Sequence, residues 1–137
     1  MVRFEGSRSH FSGQVVEGPA VRIEATDPDI TKGWYWGPWN SNLDISVGFA
    51  NKGVDEPHFH RRMTEIYLIA CGTAEMRVET ESINLSQGQV IVVEPGEVHT
   101  FLSCSPDHFH FVLQVPGLEG EEARLDKVSV PRSRLRL

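Results

Sequence analysis

His58 and His60 stand two residues apart with Phe59 between them, and Glu65 opens the apolar run Ile66 to Ala70 shortly after. Side chains alternate faces along a β-strand, so both imidazoles point one way and Phe59 the other. Arg61 to Thr64 make a polar break between the two segments. If the apolar run is the return strand of a hairpin, Glu65 lies beside the histidines. Two imidazoles and a carboxylate on one face are ligands suited to a first-row divalent metal. His99, in the second turn-rich stretch around Pro95 and Gly96, completes a set of four: His58, His60, Glu65 and His99. An acid heading an otherwise apolar strand argues against reading the histidines as a merely exposed pair.

Neutral imidazole ligates Fe, Mn, Co, Ni, Cu and Zn alike, and the carboxylate adds a hard anionic oxygen. The absence of thiolates from the set disfavours a structural zinc site. Four protein ligands on an octahedral ion leave two positions for water, oxygen or substrate, which is what a catalytic site needs. Tyr67 shares the face of Glu65, and Phe101 and Ser103 share that of His99. Glu56 has the parity of the two histidines at the strand entrance, so Tyr67 and Glu56 are the candidates for acid–base work. His108 and His110 repeat the spacing of the first pair, but without an acid at the matching distance; His110 is better suited to lining a pocket than to a second metal. Arg61 and Arg62 offer positive charge to an anionic substrate, although loop arginines in an acidic protein ordinarily stay in water.

The elements that must position these groups are short. Val21, Ile23 and Ala25 alternate with polar residues, as do Leu43, Ile45, Val47 and Phe49, and Ala74, Met76 and Val78. Ile83 and Leu85 form a strand before the Gln87-Gly88 turn, Val90 to Val93 read as a β-branched run buried on both sides, and His108 to Val115 close the series. Nearly every run ends at Gly, Pro or Asn, which predicts an antiparallel sandwich or barrel. Trp34, Trp36 and Trp39 fall within six residues and carry apolar area suited to a barrel core, a pocket wall or a subunit interface; we expect pocket rim plus interface. Residues 1–19 read as an N-terminal arm and 20–117 as the barrel. The tail, 118–137, packs on or beside it with a helical turn, an edge strand and a solvated end carrying Arg132, Arg134 and Arg136.

These motifs resemble the cupins. Gly53-x4-His58-x-His60-x4-Glu65-x6-Gly72 is similar to the first cupin motif, and Gly88-x6-Pro95-Gly96-x2-His99 to the second. The first glycine is one residue nearer the histidines than in the family pattern, the proline one residue late, and Ser103 stands where the family has asparagine. The resemblance implies an all-β double-stranded β-helix, a jelly-roll barrel with its site inside. It also implies one divalent metal per chain, Fe or Mn most often, with Ni, Zn and Cu possible, and pairing of small cupins through N-terminal strands. A homodimer in which residues 20–40 contribute is therefore expected.

Composition narrows the function further. A chain of 137 residues forms one domain. A net charge of −6 argues against nucleic acid and anionic membrane as partners. The N-terminal residues lack the apolar core of a signal peptide, which sets a cytoplasmic expectation. Cys71 and Cys104 fall on opposite faces by parity and read as unpaired, buried small hydrophobes. The expected function is that of a metal-dependent enzyme, dioxygenase or isomerase in type, on a small organic molecule; a non-catalytic sensor or ligand-binding barrel is the alternative.

Overall fold

The computed structural model describes residues 32–37 and 43–137. In chain order the strands are β1 (Lys32–Trp36), β2 (Ser46–Ala50), β3 (His58–His60), β4 (Thr64–Cys71), β5 (Thr73–Val78), β6 (Glu81–Ser86), β7 (Val90–Val93), β8 (His99–Cys104), β9 (Phe109–Val115) and β10 (Lys127–Ser129). A helix, α1 (Gly120–Asp126), precedes β10, and a 3-10 turn spans Arg132–Leu135. The strands make two five-stranded sheets, ordered β1-β2-β9-β4-β7 and β10-β3-β8-β5-β6, and every pairing is antiparallel. This is the expected double-stranded β-helix. The helical turn and edge strand read from the tail are α1 and β10, and β10 extends the second sheet alongside β3.

Residues directly opposite in an antiparallel pair share a face. Across the first sheet, Ser46, Gln114, Glu65 and Val93 form one row, followed by Gly48, Val112, Tyr67 and Ile91. These rows face the second sheet. Tyr67, Ile69 and Val93 pack there with Ala74, Met76, Leu85 and Phe101 in the buried core. The intervening rows point outward: Val47, Leu113, Ile66 and Val92, then Phe49, Phe111, Leu68 and Val90. The polar site is thus on the inner face and an apolar surface on the outer one. On β2 it is the small residues Ser46, Gly48 and Ala50 that face inward, while Leu43 and Ile45 lie in bends before the strand begins.

Several local expectations are corrected. Val90 to Val93 is an edge strand, with Val90 55% and Val92 50% exposed, because only one of its faces meets the second sheet. A bulge between β5 and β8 at Glu75/Met76 breaks the alternation of β8 after Phe101. Ser103 is consequently exposed and does not share the face of His99, while Cys104 turns toward the core cluster. A second irregularity at Ile69/Cys71 leaves Cys71 exposed. Both cysteines are free, as expected.

Trp34 is half-buried and its ring covers Gly48, where a Cβ would meet the indole at 2.9 Å. Trp36 ends β1, just past a register shift in the pairing of β1 with β2. Trp39, the Val21–Ala25 segment and His10 lie outside the described residues, as does most of the 20–40 segment expected at an interface.

Candidate metal centre

β3 carries His58 and His60 on its inner side, and both are buried together with Glu65 of β4 and His99 of β8. β3 pairs with β8 through the single register position His58–His99, which brings the two imidazoles to 4.4 Å between centroids. The three predicted histidine ligands surround one carboxylate oxygen of the fourth, Glu65. From Glu65 Oε1, the Nε2 atoms of His99, His60 and His58 lie at 2.9, 3.1 and 3.9 Å. Neighbouring ligands about 2.1 Å from an octahedral ion are themselves about 3 Å apart, so this spacing suits a cation.

The tautomers support the same conclusion. His58 Nδ1–H donates to the Glu56 carbonyl (2.7 Å) and His99 Nδ1–H to the Glu97 carbonyl (3.0 Å). His60 Nδ1–H donates to Asp126 Oδ2 (3.2 Å). A backbone carbonyl or carboxylate on Nδ1 fixes the proton there and leaves Nε2 bare. Three lone pairs therefore converge on a carboxylate, an arrangement that calls for positive charge between them. His58, Glu65 and His99 form the group whose donor atoms all lie within 4.8 Å of one another, and these residues could hold a metal ion. His60 stands on the far side of Glu65 Oε1, held between two carboxylates.

Protonation follows from these contacts. Without an ion, burial pushes the Glu65 carboxyl up, but imidazoles of His58, His60 and His99 that carry a proton on Nε2 as well donate to it, outweigh burial and hold the group well below the usual carboxylate range; those Nε2 protons are the ones a metal ion would displace. For His58 burial dominates and lowers the pKa, which favours the neutral ligand form. For His60 burial also opposes charge, yet Glu65 and Asp126 together raise the pKa above the ordinary histidine value. Glu65 is oriented by two further donors: Tyr67 O–H to Oε1 (3.1 Å) and Gln114 Nε2–H to Oε2 (3.1 Å).

Tyr67 thus reaches the site as a buried donor to the carboxylate. Burial, then the Glu65 charge, raises its pKa well above the ordinary tyrosine value and keeps the phenol protonated. The Glu56 side chain is exposed and accepts a hydrogen bond from Ser129 Oγ (2.7 Å); its backbone carbonyl is what serves His58. Phe101 packs edge-on to Tyr67 (5.3 Å), filling the barrel beneath the site. Arg61 and Arg62 are exposed beyond β3. His108 and His110 hydrogen-bond to each other (2.8 Å).

Two contributors were not anticipated from sequence. Asp126, at the end of α1, is 3% exposed; besides His60 it accepts backbone N–H bonds from Arg62 (2.7 Å) and Met63 (3.3 Å). An aspartate in a tail of mixed charge gives no sequence signal of this, because its partners are over 60 residues away. Gln114 is readable only once β9 is known to pair with β4 at Glu65.

The site opens on a cavity of about 380 Å3, lined by His58, His60, Glu65, Tyr67, His110 and Gln114 among others. Lys32, Lys52, Arg124 and Lys127 also border it, and among the described residues Glu65 is the only acid that lines it.

Comparison with known proteins places this geometry in context. No curated protein matches the chain. Among solved structures, KdgF from Halomonas sp. superposes with a TM-score of 0.61 at 21% identity, over 77% of this chain and 94% of that one. A Streptomyces nucleoside dehydratase gives 0.59 at 17% identity, over 74% and 78%. A Klebsiella pneumoniae protein with a double-stranded β-helix domain gives 0.60 at 15% identity, over 80% and 90%. At these identities the likeness establishes the fold. Residues 46–115 match the model of the cupin domain, a span running from β2 through β9 that contains both histidine motifs, and the chain therefore belongs to the cupin family.

Proposed function

We propose that this cupin is a metal-dependent enzyme acting on a small, negatively charged organic molecule. The observation that carries the reading is the convergence of three Nε2 lone pairs on Glu65 inside a cavity, each imidazole fixed from behind through Nδ1. His58, Glu65 and His99 would hold the ion, with His60 as a fourth ligand. Imidazole and carboxylate without thiolate suit Fe or Mn, and Ni, Zn and Cu remain compatible. Bound there, a divalent ion supplies Lewis acidity toward a substrate oxygen. Tyr67 and Gln114 hold the carboxylate in place during this chemistry.

The rim supports the substrate class. Lys32, Lys52 and Lys127 surround the cavity, and Arg124 joins them although it is paired with Glu121. Concentrated positive charge at the mouth of a site in a protein of net charge −6 draws anions toward it. The Streptomyces relative was solved with uridine, which favours a small polar ligand in such a barrel. Between the two reaction types expected from sequence, a neutral histidine in the cavity favours isomerase or elimination chemistry over oxygen activation.

The test begins with metal content. Protein purified without a histidine tag should contain about one divalent ion per chain, and the double variant His58→Ala/His99→Ala should contain none. Metal retained at full stoichiometry in that variant would remove the assignment. Turnover of carboxylate- or phosphate-bearing compounds by the metal-loaded protein then separates an enzyme from a binding module, which would bind them unchanged.

We further propose that two copies associate through the outer face of the first sheet. Four strands there present Val47, Leu113, Ile66 and Val92 in one row and Phe111, Leu68 and Val90 in the next, where Phe49 is itself buried, with no charged residue between them.

A further inference from the structure

Gln114, on β9, is 8% exposed and stands in register with Glu65 on one side and Ser46 on the other. Its side chain therefore points inward beside the carboxylate, and it lines the cavity with His58, His60 and Glu65. The amide has one orientation there. Glu65 is held as a carboxylate, which accepts hydrogen bonds and cannot donate them. Gln114 Nε2–H must face it, as it does at 3.1 Å from Oε2; the flipped amide would set a carbonyl oxygen against an anionic one. Gln114 Oε1 is thereby turned away from Glu65.

Nothing among the described residues donates to that oxygen. Nor is it sealed in the wall, since among the described residues the only fully buried side-chain polar atom without a partner is His108 Nδ1. Oε1 therefore opens on the cavity. Polar groups in protein interiors are normally paired, and one left open in the wall of a pocket is completed by what the pocket holds. The groups around it do not offer the same contact. Lys32, Lys52, Lys127 and Arg124 can only donate. Both Glu65 oxygens are engaged, Oε1 by Tyr67 and the imidazoles and Oε2 by Gln114 itself. His110 carries the next polar group along this face of β9, but it lies beyond Val112, bonded to His108 and stacked on Phe101 at 5.1 Å between centroids.

We propose that Gln114 is a specificity-determining residue whose Oε1 accepts a hydrogen bond from a hydroxyl group of the anionic molecule bound beside Glu65. The substrate class narrows from small organic anions to hydroxylated ones, such as hydroxy acids. An ammonium could also donate, but Lys32, Lys52 and Lys127 would repel one in that place. The lysines thus recruit the molecule by its charge, and the hydroxyl sets how it lies against Glu65. An analogue lacking the O–H leaves Oε1 covered and without a donor, and a site built for a hydroxyl rejects it for that reason. This inference rests on the small-molecule reading above.

Titration of the full chain, loaded with Zn(II), with glycolate and with fluoroacetate tests it. The two anions are close in size, and only glycolate carries an O–H. The unsubstituted protein should bind glycolate about tenfold more tightly. Gln114→Met, which keeps the length of the side chain and has no amide, should lose that preference by weakening glycolate and leaving fluoroacetate unchanged. Equal affinities in the unsubstituted protein would overturn the proposal, and so would an undiminished preference in a folded Gln114→Met. If that variant does not fold, NMR of the Gln114 side-chain carbonyl carbon in the unsubstituted protein decides. Its resonance should move on adding glycolate and stay in place with fluoroacetate; the same response to both would overturn the proposal. Zinc stoichiometry in the same samples keeps the two readings apart. One zinc per chain with an indifferent Gln114 removes this inference alone, whereas a Gln114-dependent preference without zinc removes the metal assignment and leaves the hydroxyl contact standing.

Discussion

Asp126 is the residue on which the proposed role of His60 as a fourth metal ligand depends. It binds His60 Nδ1 and caps the backbone N–H groups of Arg62 and Met63, so it fixes both the tautomer of His60 and the turn after it. Carboxylate partners of ligating histidines are typically worth about 10- to 100-fold in metal affinity. Asp126→Asn should weaken metal binding by about that factor while retaining an oxygen for one of the backbone groups. Unchanged affinity, measured by competition with a chelator, would place His60 outside the ligand set. His110 makes a second prediction at this scale, through stability. Unfolded, a histidine titrates near 6.5; in the fold burial and then His108 lower the value to about 3, with Glu65 opposing. The unfolded chain therefore binds a proton that the folded one refuses. Above about pH 6.5 this residue has no effect, and as pH falls from there toward 3 it removes up to about 1.4 kcal/mol per unit. His110→Phe should show a shallower loss of urea stability between pH 6.5 and 4.5, measured on metal-free protein. Coincident slopes would mean that His110 titrates normally.

At the scale of elements, the spacing of the ligands is set by where backbones can approach. Gly53, just before β3, has to be glycine because of contact: a Cβ there would fall inside the ring of Phe101. The loop also accepts structure from β8, since the Val54 carbonyl receives Phe101 N–H (3.0 Å) and Thr100 Oγ1–H (3.1 Å). Gly53→Ala must push Phe101 off Tyr67 and His110, or move the loop away from β8. Overpacking of this kind costs about 1–3 kcal/mol. Thermal melting should record that loss together with weaker metal binding, and a variant melting with the parent would show that the loop yields freely. How much of this was legible in sequence depends on range. Parity within β3 placed His58 and His60 on one face, and local turn residues marked strand ends, because both are properties of a few consecutive residues; the hairpin expected to bring Glu65 beside them does not form, since β3 and β4 lie in different sheets and Glu65 meets the histidines across the barrel. Parity failed for Ser103, Cys104 and Cys71 at register shifts, which arise between strands and have no local signature. Asp126 and Gln114 were illegible for the same reason: each acts through a partner strand brought in from far along the chain. The exposure of Val90 and Val92 depended on strand order, which β-branched composition does not encode.

For the whole molecule, the unusual feature is a sheet whose inner face carries the polar site and whose outer face is apolar. Val92 pairs across to Ile66 and Leu113, and Val90 to Leu68 and Phe111, so the exposed valines continue rows that cross four strands. Tyr35, Phe109 and Phe111 extend that surface as an aromatic cluster around the buried Phe49, with centroids 5.1 to 6.2 Å apart. A continuous apolar patch of this kind is rarely left in water by a monomer. A second copy is the simplest occupant, because a two-fold axis through the face pairs apolar rows with apolar rows and needs no complementary charge. The net charge of −6 would repel two copies brought together elsewhere, yet none of it lies on these rows. Val92→Lys places a charge at the middle of one row, half exposed and away from the metal. Light scattering at micromolar concentration should give a dimer for the parent and a monomer for Val92→Lys, with metal content unchanged in both. A monomeric parent would sink the proposal. So would a dimer that tolerates the lysine, since burying it there unpaired would cost several kcal/mol for each copy.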